Sequence, residues 1–442
     1  MTTDLPDDYP ETAPIPILLN RPKWRDTFSS LRIHNYRLYV ISQSLSNTSA
    51  WMMRIATDWL VFQLTGSITD VGITVMLQFA PILLFGVWGG LIADRFDKRH
   101  LLMLTQAVSA GVCATLAVLT LLGTVEVWQV WSSAFALGCV AVVDGPTRSV
   151  FVNEMVGHDR LRNAISVNAS IFHLGGLIGP AISGILIALV GAGWSIGVNA
   201  FAAALVVFTL SIMRVAELLP TPRVQATKGQ IRQGLRYVKS KPTIIWPLIM
   251  LAFVSTFGMS LPVLLVSFAD TIYKTGAAGY GLYSSAAAVG ALSGAIASTR
   301  RLTFRLRSMV LAAGFFGIAL VLAGISPIAI LFMVFLASIG FCRLLFATGA
   351  ESIVQMSSNR AIRGRVMAVY SMVMLGGQAI GGPLMGWIAE QAGVREAMVI
   401  AGAVPGCAAI VIAILLARSG KLSLRFTLRR RALPVRIVPR GA

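Results

Sequence analysis

Arg160-Leu161-Arg162, followed by Gly179-Pro180 inside an apolar run, returns 203 residues later as Arg363-Gly364-Arg365 and Gly382-Pro383. Residues 142–190 and 345–393 therefore read as two copies of one segment. Each is an apolar stretch, a short polar loop with two arginines, then an apolar stretch broken by Gly-Pro. A repeat at half the chain length is too long for a solenoid. It fits a membrane protein built from two related halves, the arrangement that alternating access uses.

Composition agrees. Of 442 residues, 56% are hydrophobic and only 12% charged, and the mean hydropathy is +0.76. A soluble domain carries about 25% charged residues, so this chain lacks the charge to clothe a surface in water. A membrane span needs roughly 20 mostly apolar residues. Twelve segments fit: 37–64, 71–93, 101–122, 127–149, 164–190, 194–213, 243–269, 279–299, 308–323, 327–350, 366–390 and 396–417. The expected fold is all-α and integral to the membrane, with twelve transmembrane helices in two pseudo-symmetric six-helix halves. The expected organisation is a cytoplasmic N-terminal tail (1–35), a six-helix half (36–213), a cytoplasmic linker (214–241), a second six-helix half (242–417) and a basic cytoplasmic tail (418–442).

Charge sets the orientation. All 37 Lys and Arg residues except Arg54, Lys274 and Arg395 lie before span 1, after an even-numbered span or after span 12, with Arg148 and Arg343 toward the same side within spans 4 and 10. This is the positive-inside pattern. It places both termini in the cytoplasm of a bacterial plasma (inner) membrane. The net charge of +19 then faces anionic headgroups and is no sign of nucleic-acid binding. The first eleven residues are acidic, unlike the basic start of a signal peptide. Cys113, Cys139, Cys342 and Cys407 all fall within spans, so no disulfide and no metal site is expected. Asn47-Thr48-Ser49 and Asn168-Ala169-Ser170 match the glycosylation pattern but lie inside spans and read as inert. In the linker, Ile231, Leu235 and Val238 recur among Lys228, Arg232, Arg236 and Lys239, which predicts an amphipathic helix on the inner leaflet. The tail from Arg418 holds eight basic and no acidic residues and reads as lipid-facing.

Span 2 ends in Gly90-Leu91-Ile92-Ala93-Asp94-Arg95-Phe96-Asp97-Lys98-Arg99. This resembles the loop between the second and third helices of the major facilitator superfamily, G-x-x-x-D-R/K-x-G-R/K-R/K. Asp97 replaces the second glycine, as it often does in the branch resembling bacterial siderophore and drug exporters. The resemblance covers residues 31–417 and implies the major facilitator fold. Gly90 is expected to permit close backbone approach, and Arg95, Lys98 and Arg99 to anchor the loop at the headgroups. The resemblance also implies that Asp94 steadies the outward-open form by docking at the start of helix 11, near Gly364-Arg365. A carboxylate at a helix N-terminus is worth roughly 0.3–2 kcal/mol. The plainer reading pairs Asp94 with Arg95 or Arg99. The equivalent loop of the second half, Gly294 to Arg301, keeps a glycine and arginines but loses the Asp.

Gly175-Gly176-Leu177-Ile178-Gly179-Pro180-Ala181-Ile182-Ser183-Gly184 resembles the G-x-x-x-G-P-x-x-G-G segment of proton-coupled exporters in the same superfamily. Gly175, Gly179 and Ser183 share one helix face; Gly176, Pro180 and Gly184 share another. Small faces let helices approach closely in lipid, and Pro180 invites a kink. Span 11 repeats the device with Gly377, Gly381, Gly382, Pro383 and Gly386. Simple packing explains these glycines equally well, so export rests on the resemblance.

A charge at the membrane centre costs about 2.5–3.5 kcal/mol, and each one needs a reason. Arg54 and Asp58 stand at i, i+4 in span 1, which predicts an intrahelical pair. A movement that separates them would change whether Asp58 holds a proton, so both are proton-coupling candidates; an inert pair that aids insertion is the alternative. His173 in span 5 is a third candidate, or else a satisfied buried histidine. Asp144 and Arg148 stand at i, i+4 near the cytoplasmic end of span 4, and the 203-residue offset maps Arg148 onto Glu351. Opposite charges at equivalent positions suggest an inner gate. Arg343 is either a contact for an anionic substrate or a partner for Glu351. Trp51, Trp59, Phe253 and Phe257 are expected to line a cavity between spans 1, 4, 7 and 10.

The expectation is a proton-coupled antiporter that exports small amphipathic or hydrophobic molecules. Uptake by the same fold is the nearer rival, and a non-transporting membrane module the more distant one. No G-x-x-x-x-G-K-S/T sequence is present, so ATP is not the expected driver. No cofactor and no enzymatic activity are expected. The expected partners are a small-molecule substrate, protons and membrane lipids, with the chain acting as a monomer.

Overall fold

The computed structural model describes residues 29–219, 235–239, 241–299, 306–359, 362–419, 422–426 and 435–439. The long helices are α1 His34–Thr65, α2 Ile68–Arg95, α3 Lys98–Leu121, α4 Val127–Gly157, α5 Asn163–Val190, α6 Ala192–Ser211, α7 Pro242–Ile272, α8 Gly276–Thr299, α9 Leu306–Gly324, α10 Ala329–Ser357, α11 Arg363–Ala392 and α12 Val394–Ser419. Ten of them are long and apolar enough to cross a membrane. The other two have the length but a more polar or smaller composition: α1 carries Arg54, Asp58 and several hydroxyls, and α8 is largely glycine, alanine and serine. Large side chains such as Leu84, Trp88, Phe208, Phe315 and Trp387 are exposed, as a surface solvated by lipid requires.

Local chemistry sets the helix ends. Gly66, at φ +68°, terminates α1, and the Ser67 side chain caps α2 by accepting from the Asp70 N–H. A capping box of Glu126 and Gln129 starts α4. The join of α4 to α5 is Gly157, at φ +69°, a backbone conformation that suits glycine. Span 4 was expected to end at 149, yet α4 continues to Gly157. Phe151, Val152, Met155 and Val156 still bury themselves there against Tyr36, Tyr39, Leu102 and Leu210. Arginine marks where lipid ends; apolar contact decides where the helix ends. Within α7, two π-helical turns occupy Val254–Gly258 and Phe268–Ile272.

Glycines define how the bundle packs. Inside the first half, α5 lies on α1, and a Cβ on Gly179 would stand 2.8 Å from the Thr48 carbonyl. Inside the second half, α11 lies on α7, and a Cβ on Gly381 would stand 1.9 Å from the Thr256 carbonyl. Between the halves, a Cβ on Gly184 would meet the Ala277 carbonyl at 2.7 Å, and one on Gly386 the Ile68 carbonyl, also at 2.7 Å. The seams are therefore α5–α8 and α11–α2. Gly179 matches Gly381 in role and Gly184 matches Gly386, an offset of 202 residues. Gly138 of α4 against α2 and Gly340 of α10 against α8 keep that same offset. The Gly-Pro alignment at 203 is thus one residue out of packing register. Corrected, Arg148 corresponds to the buried Ala350 and not to Glu351.

Among the described residues, every hydrogen bond between the halves lies from mid-helix toward the arginine-poor end. They are Ser67 and Thr69 to Glu390, Tyr280 to Asp58, and Ser285 to the Leu177 carbonyl. These bonds hold the halves together at that end, and no hydrogen bond between described residues joins them at the arginine-rich end.

Two features depart from expectation. The tail holds an antiparallel ribbon, Leu422–Phe426 with Val435–Pro439, where Leu-Ser-Leu-Arg-Phe alternates with the period of a strand. In the linker, 235–239 is helical, but Val238 is buried in the main hydrophobic core and Tyr237 Oη accepts from the Asn359 N–H at 3.2 Å. This turn therefore docks on protein. Lys228, Ile231 and Arg232 lie outside the described residues, as do the acidic first eleven.

Candidate functional site

Trp51, Arg54 and Asp58 recur at i, i+3, i+7 and so share one face of α1. Asp58 is fully buried. Tyr280 of α8 donates to its Oδ2 at 2.9 Å, a bond that crosses from one half to the other. The second oxygen, Oδ1, is buried and has no hydrogen-bond partner.

Arg54 does not pair with Asp58, contrary to expectation. Its guanidinium lies over the Trp51 ring at 5.0 Å and the Phe79 ring at 5.6 Å. Helical side chains lean toward the N-terminus, so a base placed before an acid leans away from it, the weaker order of an i, i+4 pair. Asp144 and Arg148 have the favourable order, and they do pair at 2.7 Å. Asp144 also accepts from Thr105 (3.0 Å) and Gln106 (2.8 Å), while Arg148 reaches Gln43. This network ties α1, α3 and α4 together inside one half. Glu351 is exposed and forms no ion pair with Arg148 or Arg343 among the described residues. The inner gate is absent from this state.

His173 is half-buried and packs edge-on to Phe172 at 5.8 Å. Of the expected cavity residues, Trp51 is half-buried beside Arg54, and Phe257 packs partly against the core. Trp59 is buried in the core, because one residue beyond Asp58 is about 100° around the helix. Phe253 shares a stripe with Trp246 and Ile249 and faces α12 across an apolar groove closed by Ala403, Cys407 and Val411.

In the α2–α3 loop, Asp97 is the N-cap of α3 at φ −62°, so no glycine is needed there. Its carboxylate accepts from the His100 N–H at 2.9 Å and approaches His100 Nδ1 at 2.8 Å. Burial pushes this carboxyl up, but the bonds to His100 and the charge of Arg99 outweigh it and hold it below the usual range. Arg99 donates to the Leu210 and Ser211 carbonyls and closes the end of α6. Lys98 Nζ folds back onto the Phe96 carbonyl, and Arg95 is exposed. Asp94 has no hydrogen bond or ion pair among the described residues, to α11 or to Arg95 and Arg99.

Gly90 is not the close-approach glycine. A Cβ there meets nothing within 4 Å, whereas one on Gly89 would stand 2.0 Å from the Val142 carbonyl. Gly89→Ala is therefore expected to cost about 1–3 kcal/mol, as overpacking does, and Gly90→Ala almost nothing. Melting temperatures in detergent check this; equal values for the two variants would refute it.

The sequence matches the transmembrane secretion effector family over residues 25–425. The chain belongs to this family of the major facilitator superfamily. It is 26% identical over 379 residues to the uncharacterized MFS-type transporter YfiS of Bacillus subtilis strain 168, covering 82% of this chain and 88% of that one. It is 24% identical over 408 residues to the enterobactin exporter EntS of Escherichia coli O139:H28, covering 90% and 95%. Among solved structures, an inward-facing, unoccupied bacterial homolog of the human lysosomal transporter Spinster superposes with a TM-score of 0.63 at 15% identity, over 87% of this chain and 97% of that one. A D-xylose-proton symporter gives 0.69 at 12% identity, over 86% and 97%. The chain is a multi-pass membrane transporter with the major facilitator fold.

In this transporter, two side chains that bond across the halves escaped the sequence. Tyr280 sits in Gly276-Ala277-Ala278-Gly279-Tyr280-Gly281, where a lone phenol among small residues was the available signal. Glu390, one turn from the end of α11, gave none, because its partners Ser67 and Thr69 are over 300 positions away.

Proposed function

We propose that this transporter exports small amphipathic molecules, of drug or siderophore type, across the bacterial plasma membrane in exchange for protons. The arginine-rich face is then cytoplasmic, with both termini on that side. The observation that carries the coupling is the Asp58–Tyr280 bond: a fully buried carboxyl group, with one oxygen unpartnered, spans the seam that must part when the opposite face opens. Opening would replace Tyr280 by water, so proton occupancy and conformation become linked. Asp94 is the group that shuts the cytoplasmic face. Export draws support from the likeness to EntS and from the α5 glycine segment.

Everted membrane vesicles with an imposed pH gradient test this directly. A panel of amphipathic compounds should accumulate inside them, and collapse of the gradient should stop the accumulation. Accumulation only in right-side-out vesicles would replace export by uptake, and indifference to the gradient would remove the proton.

A further inference from the structure

Three cationic or proton-accepting groups stand in electrostatic contact across the two halves, with Arg343 as the common member. Arg54 of α1 and Arg343 of α10 are half-buried near the middle of their helices, and each is within electrostatic reach of the other. His173 of α5 is within reach of Arg343. Among the described residues neither arginine has a carboxylate at ion-pair distance, and Arg343 has no hydrogen bond. Asp58 lies within electrostatic reach of Arg54 but makes no ion pair with it, and it is enclosed against Tyr280. Unpaired charge at this depth is costly, and two like charges raise that cost. Groups so placed mark a pathway or a ligand.

The surroundings are aromatic. Trp51 and Phe79 carry Arg54 on their ring faces, and Phe172 stands edge-on to Trp51 at 5.6 Å. We infer that Arg54 and Arg343, together with Trp51 and Phe172, form the substrate site, and that the substrate class is an aromatic organic acid. The guanidinium groups present planar donor forks suited to a carboxylate, phosphate or sulfonate. The rings take the flat apolar part of the molecule. Because Arg54 belongs to one half and Arg343 to the other, an acid group between them cancels their repulsion and draws the halves together at that level. Binding thereby favours the closure that transport needs. The inference rests on the reading of this chain as a carrier of small amphipathic molecules.

The test is equilibrium binding to the full chain in lipid nanodiscs, with three naphthalene probes of similar size. 2-Naphthalenesulfonate should bind at least tenfold tighter than the neutral 2-naphthylmethanol, and a naphthylmethyl-trimethylammonium cation should not bind. Arg54→Gln and Arg343→Gln should each weaken the sulfonate about tenfold or more, the loss of one charge-assisted contact. Arg343→Lys should recover part of it. Ligand-free Arg343→Gln should melt at the same or a higher temperature, because an unpaired buried charge has been removed; an arginine with a structural role would lower it. Equal binding of the three probes, wild-type binding by Arg343→Gln, or loss of binding with a lower melting temperature would each overturn the site. Sulfonate binding combined with uptake in vesicles would keep the site and refute export. Proton-driven export of neutral amphipaths without sulfonate binding would do the reverse.

Discussion

Asp58→Asn is expected to abolish proton-driven transport while the protein still folds and inserts. Asparagine has nearly the shape of aspartate, and its side-chain carbonyl can accept the Tyr280 hydroxyl in place of Oδ2. The amide nitrogen takes the position of Oδ1, which has no partner to lose. The seam therefore keeps its bond across the halves, but the group can no longer gain or release a proton. Substrate counterflow, which needs conformational exchange without a gradient, should survive better than active efflux. Tyr280→Phe should act differently. It leaves the carboxyl group buried without a donor, at a cost of about 1–3 kcal/mol, and should weaken the closed end as well as the coupling. Gradient-driven efflux and counterflow, measured side by side in vesicles, separate the two effects. Wild-type efflux by Asp58→Asn would remove Asp58 from the coupling step, and His173→Gln would be the variant to examine next.

The features legible in the sequence are those that lipid imposes. Helix number, the two halves and the arginine asymmetry follow from the requirement that each span hide its backbone and leave its charge at the correct face. The α5 and α11 glycines were legible for the same reason, since close helix approach in lipid needs small residues. Side-chain partners were not legible. Arg54 and Asp58 share a helix face, yet the direction in which helical side chains lean sends Arg54 to Trp51 and Phe79 and leaves Asp58 to a phenol 222 positions away. The 203-residue offset followed the visible Gly-Pro pair, whereas packing follows the glycine that touches a neighbour. One residue of register was enough to replace Glu351 by Ala350 opposite Arg148. Asp97 was legible as a departure from the loop pattern, but its role as a helix cap became visible only with the His100 N–H in place.

Asp94→Ala and Glu390→Ala are expected to shift the conformational balance in opposite directions. The helices α2 and α11 run antiparallel along a seam, so each one's C-terminal end lies beside the other's beginning. At the arginine-poor end this contact is made. Glu390 accepts from Ser67 Oγ (2.7 Å), the Thr69 N–H (3.0 Å) and Thr69 Oγ1 (2.7 Å), and so places a carboxylate on the first turn of α2. At the arginine-rich end no such contact is made between described residues. Asp94 has no hydrogen bond or ion pair among the described residues, and α11 begins behind Ile362, which offers no side-chain cap to its own first turn. When that end closes, Asp94 is the carboxylate placed to supply the missing cap. Each contact is worth roughly 0.3–2 kcal/mol, toward the lower value for Glu390, which water screens. A change of 1.4 kcal/mol shifts a two-state ratio about tenfold. Asp94→Ala should therefore favour the form open at the arginine-rich face and cut the transport rate sharply. Glu390→Ala should favour the opposite form by a smaller factor, and the double variant should return part of the way to wild type. Labelling of single cysteines placed at each mouth reads the balance directly. A shift in the same direction for both variants, or wild-type labelling with a wild-type rate in Asp94→Ala, would show that the two carboxylates do not work as alternating latches.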